Sequence, residues 1–298
     1  MLYSLYLQAV FVYGSFLLYN AVARIFVQHY AATVFDRQIK DLFTFKLQMM
    51  IEPLIREHFP NAKTGAEITE TYLNFISGEY GSDRDKILFA TSLCCDDINV
   101  STDFRRVLTR PFTLGGLGGL PYSGLTGLVA FAHHVPDGGD AFIFYGPHIG
   151  ITDEGILGQM RRPGQQHLTN SCGALVLALE RLNNGHQSLP EQYDLDAQQL
   201  ILQRSLYPLK ETGFADIQIK EAVDFTYYNI RTRLLNLIKA GRTEFKCNRI
   251  FLLGGVIINT SPEFHDYVDI RDFEVLDPRK IEDPELISIL ASDAFKAL

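Results

Sequence analysis

Three apolar runs organise the chain: KILFATSLC at 86–94, AFIFYGPH at 141–148 and RIFLLGGVIIN at 249–259. Each is a block of consecutive hydrophobic residues that stops at polar residues or glycine. A strand with one wet face alternates, whereas a strand covered on both faces does not, so these blocks read as buried strands of a parallel sheet. Helical stretches at 172–184 and at about 214–240 lie between the second and third runs. Strand alternating with helix defines an α/β class, a mostly parallel sheet flanked by helices.

Extra helices precede the sheet. Residues 36–59 place Ile39, Leu42, Phe43, Leu47, Met50, Leu54 and Ile55 near helical spacing, and Pro60 closes the segment. Thr64-Gly-Ala-Glu67 has the capping-box pattern and opens a second helix through about Ile76. At the other end, FHDYVDIRDFEVLDPRK reads as an edge strand, followed by a short helix from about residue 283.

The first 35 residues differ from all of this. LYSLYLQAVFVYGSFLLYNAVA, residues 2–23, carries no charge before Arg24 and is long enough to cross a bilayer. Gln8, Gly14, Ser15 and Asn20 interrupt it, and the basic start of a signal peptide is missing, although Ala21 and Ala23 fit an A-x-A cleavage site. We expect residues 1–35 to serve in targeting or membrane contact, with a helix packed on the domain as the alternative. Residues 36–298 are expected to form a single α/β domain.

Composition narrows the function. The net charge is −8, the pI is about 5.5 and no lysine/arginine run is present, which argues against a nucleic-acid partner. Four cysteines, at 94, 95, 172 and 247, are too few and too unevenly spread for a disulfide framework, so metal or thiol chemistry is the better reading. Adjacent Cys94 and Cys95 would point to opposite faces of a strand, so at most one should serve a given site.

Ligands of open α/β sheets bind where strands end and helices begin. Cys94 and Asp96 follow the first run, His148 ends the second, and Cys172 opens the helix CGALVLALERL. A helix N-terminus favours a thiolate. Two thiolates and an imidazole suit Zn²⁺ with a fourth position for water. The spacing matches no compact zinc signature, and each residue has a plainer reading: a buried cysteine is a small hydrophobe, and a histidine after Gly-Pro is a turn residue.

The segments CCDDIN, GGLGGLPYSGLTGLVAFAHHVPDGGDAFIFYGPHIGI, SCGALVLAL and LLGGVIINT together resemble the limiting-carbon-dioxide-inducible LCIB/LCIC family, over about residues 45–275. The resemblance implies a β-carbonic-anhydrase-like fold with zinc ligands Cys94, His148 and Cys172, and interconversion of carbon dioxide and bicarbonate by a zinc-bound hydroxide that Asp96 orients. It implies a homodimer, and a plastid or similar organelle. β-Type carbonic anhydrases end their first strand in Cys-x-Asp-x-Arg and their second in Gly-His-x-x-Cys-Gly. Here Cys94-Cys95-Asp96 matches the first half, while His148 and Cys172-Gly173 match the ends of the second, split by an insertion at 149–170. That insertion reads as a hairpin around Asp153-Glu154-Gly155 and a loop.

One departure bears on activity. The arginine that pairs with the aspartate in β-type enzymes is Ile98 here, and the position after the asparagine, arginine in the LCIB pattern, is Val100. Arg105, Arg106 or Arg110 would have to supply the cation, Arg105 being best placed; all three also read as surface charges. An unpaired Asp96 would fill the fourth metal position, so an inactive, zinc-bound structural or regulatory partner in a carbon-concentrating assembly is the runner-up. Thiol catalysis by Cys94 with His148 as base is a third reading. His134, or its neighbour His133, is expected to line the cleft or relay protons. Gly115-Gly116-Leu-Gly118-Gly119 fails as a dinucleotide loop because Pro121 stands at the third glycine; it reads as backbone passing close to the site, with Phe112, Leu114 and Leu117 as a dry wall.

Overall fold

The computed structural model describes residues 49–96, 108, 111–186, 193–211, 216–280 and 285–297. The apolar segment 1–35, Ile98, Val100, Arg105, Arg106 and Arg110 lie outside the described residues. The chain divides into two compact units, Met1–Met50 and Ile51–Leu298, and the described residues fall almost wholly in the second. Among the described residues no helix is long and apolar enough to cross a membrane.

The sheet is built on four parallel strands: β2 (Ile87–Ser92), β3 (Phe112–Thr113), β4 (Asp140–Tyr145) and β8 (Ile250–Asn259), in the order β3-β2-β4-β8. β9 (Tyr267–Leu276) runs antiparallel to β8. It is not the edge that the sequence suggests, because the two-residue strands β1 (Lys63–Thr64) and β10 (Ile287–Ser288) pair with its ends. The helix expected from about residue 283 is correspondingly shorter, Asp293–Lys296.

Why the apolar runs do not alternate is visible in how the strands are covered. Phe89, Phe142, Phe144, Phe251 and Leu253 pack on one side. Ala90, Ala141, Ile143, Ile250 and Leu252 pack on the other. Every residue of β4 and β8 is buried. Burying each large side chain contributes about 1.5–3 kcal/mol, so both faces hold the central strands firmly.

Helices cover the two faces. α1, residues 49–58, buries Ile51 and Ile55. α2 (Gly65–Tyr80) lays Ile68, Leu73 and Ile76 on the phenylalanine face. Its capping box forms as expected: the Glu67 carboxylate accepts from the Thr64 N–H at 2.9 Å, and Thr64 Oγ1 accepts from the Glu67 N–H at 3.4 Å. The opposite face is covered by α3 (Gly124–His134), α4 (Gly173–Asn183), α5 (Tyr193–Ser205) and α6 (Ile219–Gly241). Two of these match the expected helices within a few residues, whereas α5, with exposed Leu195 and mixed polarity, is not evident from periodicity.

One irregularity sets up the site. β4 pairs with β8 as far as Gly254, Gly146-Pro147 interrupts, and β5 (His148–Gly150) resumes pairing at Ile257. A Cβ on Gly146 would collide with the Gly255 carbonyl oxygen, so only glycine allows the two backbones to come this close. The step leaves His148 at the end of the sheet, where β2 also ends.

Candidate metal centre

Cys94, two residues past β2, His148, the first residue of β5, and Cys172, the N-cap of α4, are all buried. Asp96 is 36% exposed at the rim. One donor atom from each of the four lies within 4.8 Å of the others. The strand-end and helix-start positions expected from sequence therefore converge. Cys95 is exposed in the turn that follows β2 and is not one of the four donors.

The buried shell orients the imidazole. Asn259, the last residue of β8, gives its Nδ2 to Asp266 Oδ2 at 3.3 Å, which leaves its Oδ1 as the group 2.7 Å from His148 Nδ1. An amide oxygen only accepts, so Nδ1 carries a proton and directs Nε2 at the cysteines and Asp96. The Cys94 and Cys172 sulfurs stand 3.5 Å apart. Two sulfurs about 2.3 Å from one tetrahedral zinc would stand roughly 3.8 Å apart, so the spacing and the Cys₂-His-Asp chemistry fit such an ion. The adjoining Cys172 sulfur, and burial next, hold the Cys94 thiol well above its ordinary range in the absence of a cation.

The glycine-rich loop reaches the cluster as expected. The Gly118 N–H donates to Cys94 Sγ at 3.3 Å. What fixes the loop is α5: Gln198 Oε1 accepts from the Leu117 N–H at 3.0 Å, and the Tyr122 hydroxyl donates to the Gln198 carbonyl at 2.7 Å. Gly118 has φ +66° against the Leu202 side chain, so neither its conformation nor its space suits another residue. Leu114 is buried, and Phe112 and Leu117 are half-buried beside it.

Asp96 is held between His148 and Arg162. Its Oδ1 lies 2.8 Å from His148 Nε2 and its Oδ2 lies 3.2 Å from an Arg162 Nη2. Burial pushes its carboxyl up, but the hydrogen bond to His148, followed by the charges of His148 and Arg162, outweighs that and holds it below the usual range. Arg162 also donates to the Asn170 carbonyl at 3.5 Å. It sits in the turn between β6 (Gln159–Arg161) and β7 (Leu168–Asn170), a second hairpin within the insertion beyond the expected turn at Asp153-Glu154. Sequence reasoning looked for this cation on the segment after Cys94 and missed Arg162. The only signal was the paired arginines before Pro163-Gly164.

His133 and His134 end α3. His133 Nε2 pairs with Glu244 at 2.8 Å, His134 Nδ1 donates to the Ala130 carbonyl at 2.6 Å, and neither joins the donor cluster.

A parallel α/β sheet with a Cys₂-His-Asp cluster at its strand ends is the architecture of a β-carbonic-anhydrase-like metal protein. Residues 64–277 match the family described as limiting CO2-inducible proteins B/C, beta carbonic anhydrases, and the chain belongs to that family. Among solved structures it is similar to PtLCIB4, a homologue of the limiting CO2-inducible protein LCIB, with 30% identity and a TM-score of 0.72 over 79% of this chain and 98% of that one. It is also similar to LCIB itself, with 20% identity and a TM-score of 0.59 over 78% and 96% of the two chains, a likeness of fold. No curated protein matches.

Proposed function

We propose that the protein is a zinc-dependent carbonic anhydrase that interconverts carbon dioxide and bicarbonate. The observation that carries the reading is the four-donor cluster with a cation on the far oxygen of its aspartate. Cys94, His148 and Cys172 would hold the zinc, which when bound supplies a Lewis acid able to lower the pKa of water to about 7. Asn259 fixes the tautomer that makes His148 Nε2 a ligand. Gly118 donates to Cys94, which moderates the charge of that sulfur.

Asp96 decides whether the fourth position is open. Nε2 cannot hold both a metal and the Asp96 carboxylate, so Asp96 must give up that contact when the ion binds. Arg162 then retains Oδ2 and keeps the ionised carboxylate beside the site, where Oδ1 accepts a hydrogen bond from the attacking water and orients it. The direct Asp96 to His148 contact at 2.8 Å favours a second reading, in which Asp96 completes a closed four-ligand site and the protein is a non-catalytic family member.

Metal analysis paired with a stopped-flow hydration assay separates the two. About one zinc per chain with turnover supports the enzyme; one zinc without turnover supports the closed site. We further propose a homodimer, tested by light scattering, and membrane contact through residues 2–23, tested by partition of the full chain onto vesicles against a chain lacking them.

A further inference from the structure

The contacts behind His148 do not end at Asn259. β8 and β9 pair as far as Ile258 and Tyr267, so Asn259 and Asp266 are the next two residues, at either end of the connection between the strands. Asn259 is buried and Asp266 half-buried. Asp266 Oδ1 accepts from the Thr260 N–H at 2.9 Å, and its Oδ2 accepts from Asn259 Nδ2 at 3.3 Å. Thr260 is anchored in turn, its hydroxyl donating to the His265 carbonyl at 3.2 Å.

The contact to Thr260 is one that any turn-closing aspartate could make. The contact to Asn259 has a direction. An ionised carboxylate only accepts, so the end of the Asn259 amide that faces it has to be the NH2, and the opposite end, 2.7 Å from His148 Nδ1, has to be the oxygen. The Ser171 hydroxyl lies 3.4 Å from both His148 Nδ1 and Asn259 Oδ1, but a hydroxyl donates or accepts and so does not choose between the two orientations. The Thr260 N–H only donates, which fixes an acceptor at the Oδ1 position of residue 266.

We propose that Asp266 is a positioning residue of the metal centre: its carboxylate sets which end of Asn259 meets His148, and thereby keeps the proton on Nδ1 and the Nε2 lone pair available to the metal. This rests on the reading of Cys94, His148 and Cys172 as zinc ligands. In a D266N chain the Thr260 N–H still requires an oxygen, which turns the new NH2 toward Asn259. Asn259 must then rotate and give its own NH2 to His148, so that Nδ1 becomes the acceptor and Nε2 carries the proton, which blocks ligation. The original polarity returns in N259D/D266N, where the carboxylate now at position 259 accepts both from the amide at 266 and from His148 Nδ1.

The test reads zinc affinity of the full chain by chelator competition and, by nitrogen NMR of the histidine-labelled chain at neutral pH, whether His148 Nδ1 bears a proton. D266N is expected to lose about ten- to a hundred-fold in zinc affinity together with the Nδ1 proton. D266A removes the selector without installing its opposite and should lose less, and N259D/D266N should return to within a few-fold of the parent. A role in the fold alone would make D266A at least as damaging as D266N and the double variant worse than either. That pattern, or an Nδ1 proton retained in D266N, overturns the proposal. Should D266N not fold, recovery in N259D/D266N supports the proposal and failure of both overturns it. A parent chain that binds no zinc sinks the metal reading, and the Nδ1 proton then decides the role of Asp266 by itself.

Discussion

The two halves of the metal centre are held very differently. Cys94, His148 and Cys172 hang from β2, β5 and α4, elements rooted in a core that covers both faces of the sheet. Arg162 rides on a two-stranded hairpin and touches Asp96 through one contact at 3.2 Å. An isolated hairpin of this size is marginally stable by itself. The three buried donors are thus built into the fold, whereas the contact that holds Asp96 depends on a light appendage, and the two should respond separately to mutation.

The contrast is broken most severely at a core ligand. Cys172→Ser should lower zinc affinity by a thousand-fold or more, measured by chelator competition, while Cys95→Ser leaves it unchanged. Equal losses from both would mean that the register is off by one. Arg162→Ala should spare zinc content yet reduce carbon dioxide hydration by about ten- to a hundred-fold, with partial recovery in Arg162→Lys. Asn259→Ala should do the reverse and weaken zinc about ten- to a hundred-fold, the range expected when the hydrogen-bond partner of a ligating histidine is lost.

Smaller effects sharpen the boundary between core and appendage. Gln198→Ala frees the loop that donates to Cys94, and a few-fold drop in zinc affinity is expected; Gln198→Glu keeps an acceptor for the Leu117 N–H and should restore most of it. Thr64→Ala, remote from the site, should cost about 1 kcal/mol of stability without touching zinc. The Thr64 hydroxyl, the largest influence on Glu67, holds that carboxyl below its ordinary value of 4.5. A depressed carboxyl stabilises the fold above its unfolded pKa, so this contribution is present at neutral pH and fades as pH falls below about 4.5. The stability gap between Thr64→Ala and the parent should therefore narrow, without closing, as pH falls below about 4.5, because the Thr64 cap of the Glu67 N–H does not titrate.

Much of this was legible in the sequence for a physical reason. Strands covered on both faces must be continuous apolar blocks, and the residues that end such blocks sit at the sheet's ligand-binding edge, so Cys94, Asp96 and His148 stood out. Asn259 carries the same signal, a polar residue ending RIFLLGGVIIN beside Thr260. Arg162 and Gln198 were hidden because they reach the site across 66 and 81 residues of chain, from a hairpin turn and from a helix of weak amphipathicity. Arg105, the expected partner of Asp96, lies outside the described residues, while Arg162 occupies the role in the structure.

On the proposed function, Arg162 keeps Asp96 off a metal held by Cys94, His148 and Cys172. A crystal structure of the zinc-loaded protein at neutral pH tests it directly. The predicted result is three protein ligands, with Asp96 Oδ2 still on Arg162 and no carboxylate oxygen bonded to zinc. An Asp96 oxygen at about 2.0–2.2 Å from the ion, with the Arg162 contact broken, would contradict it.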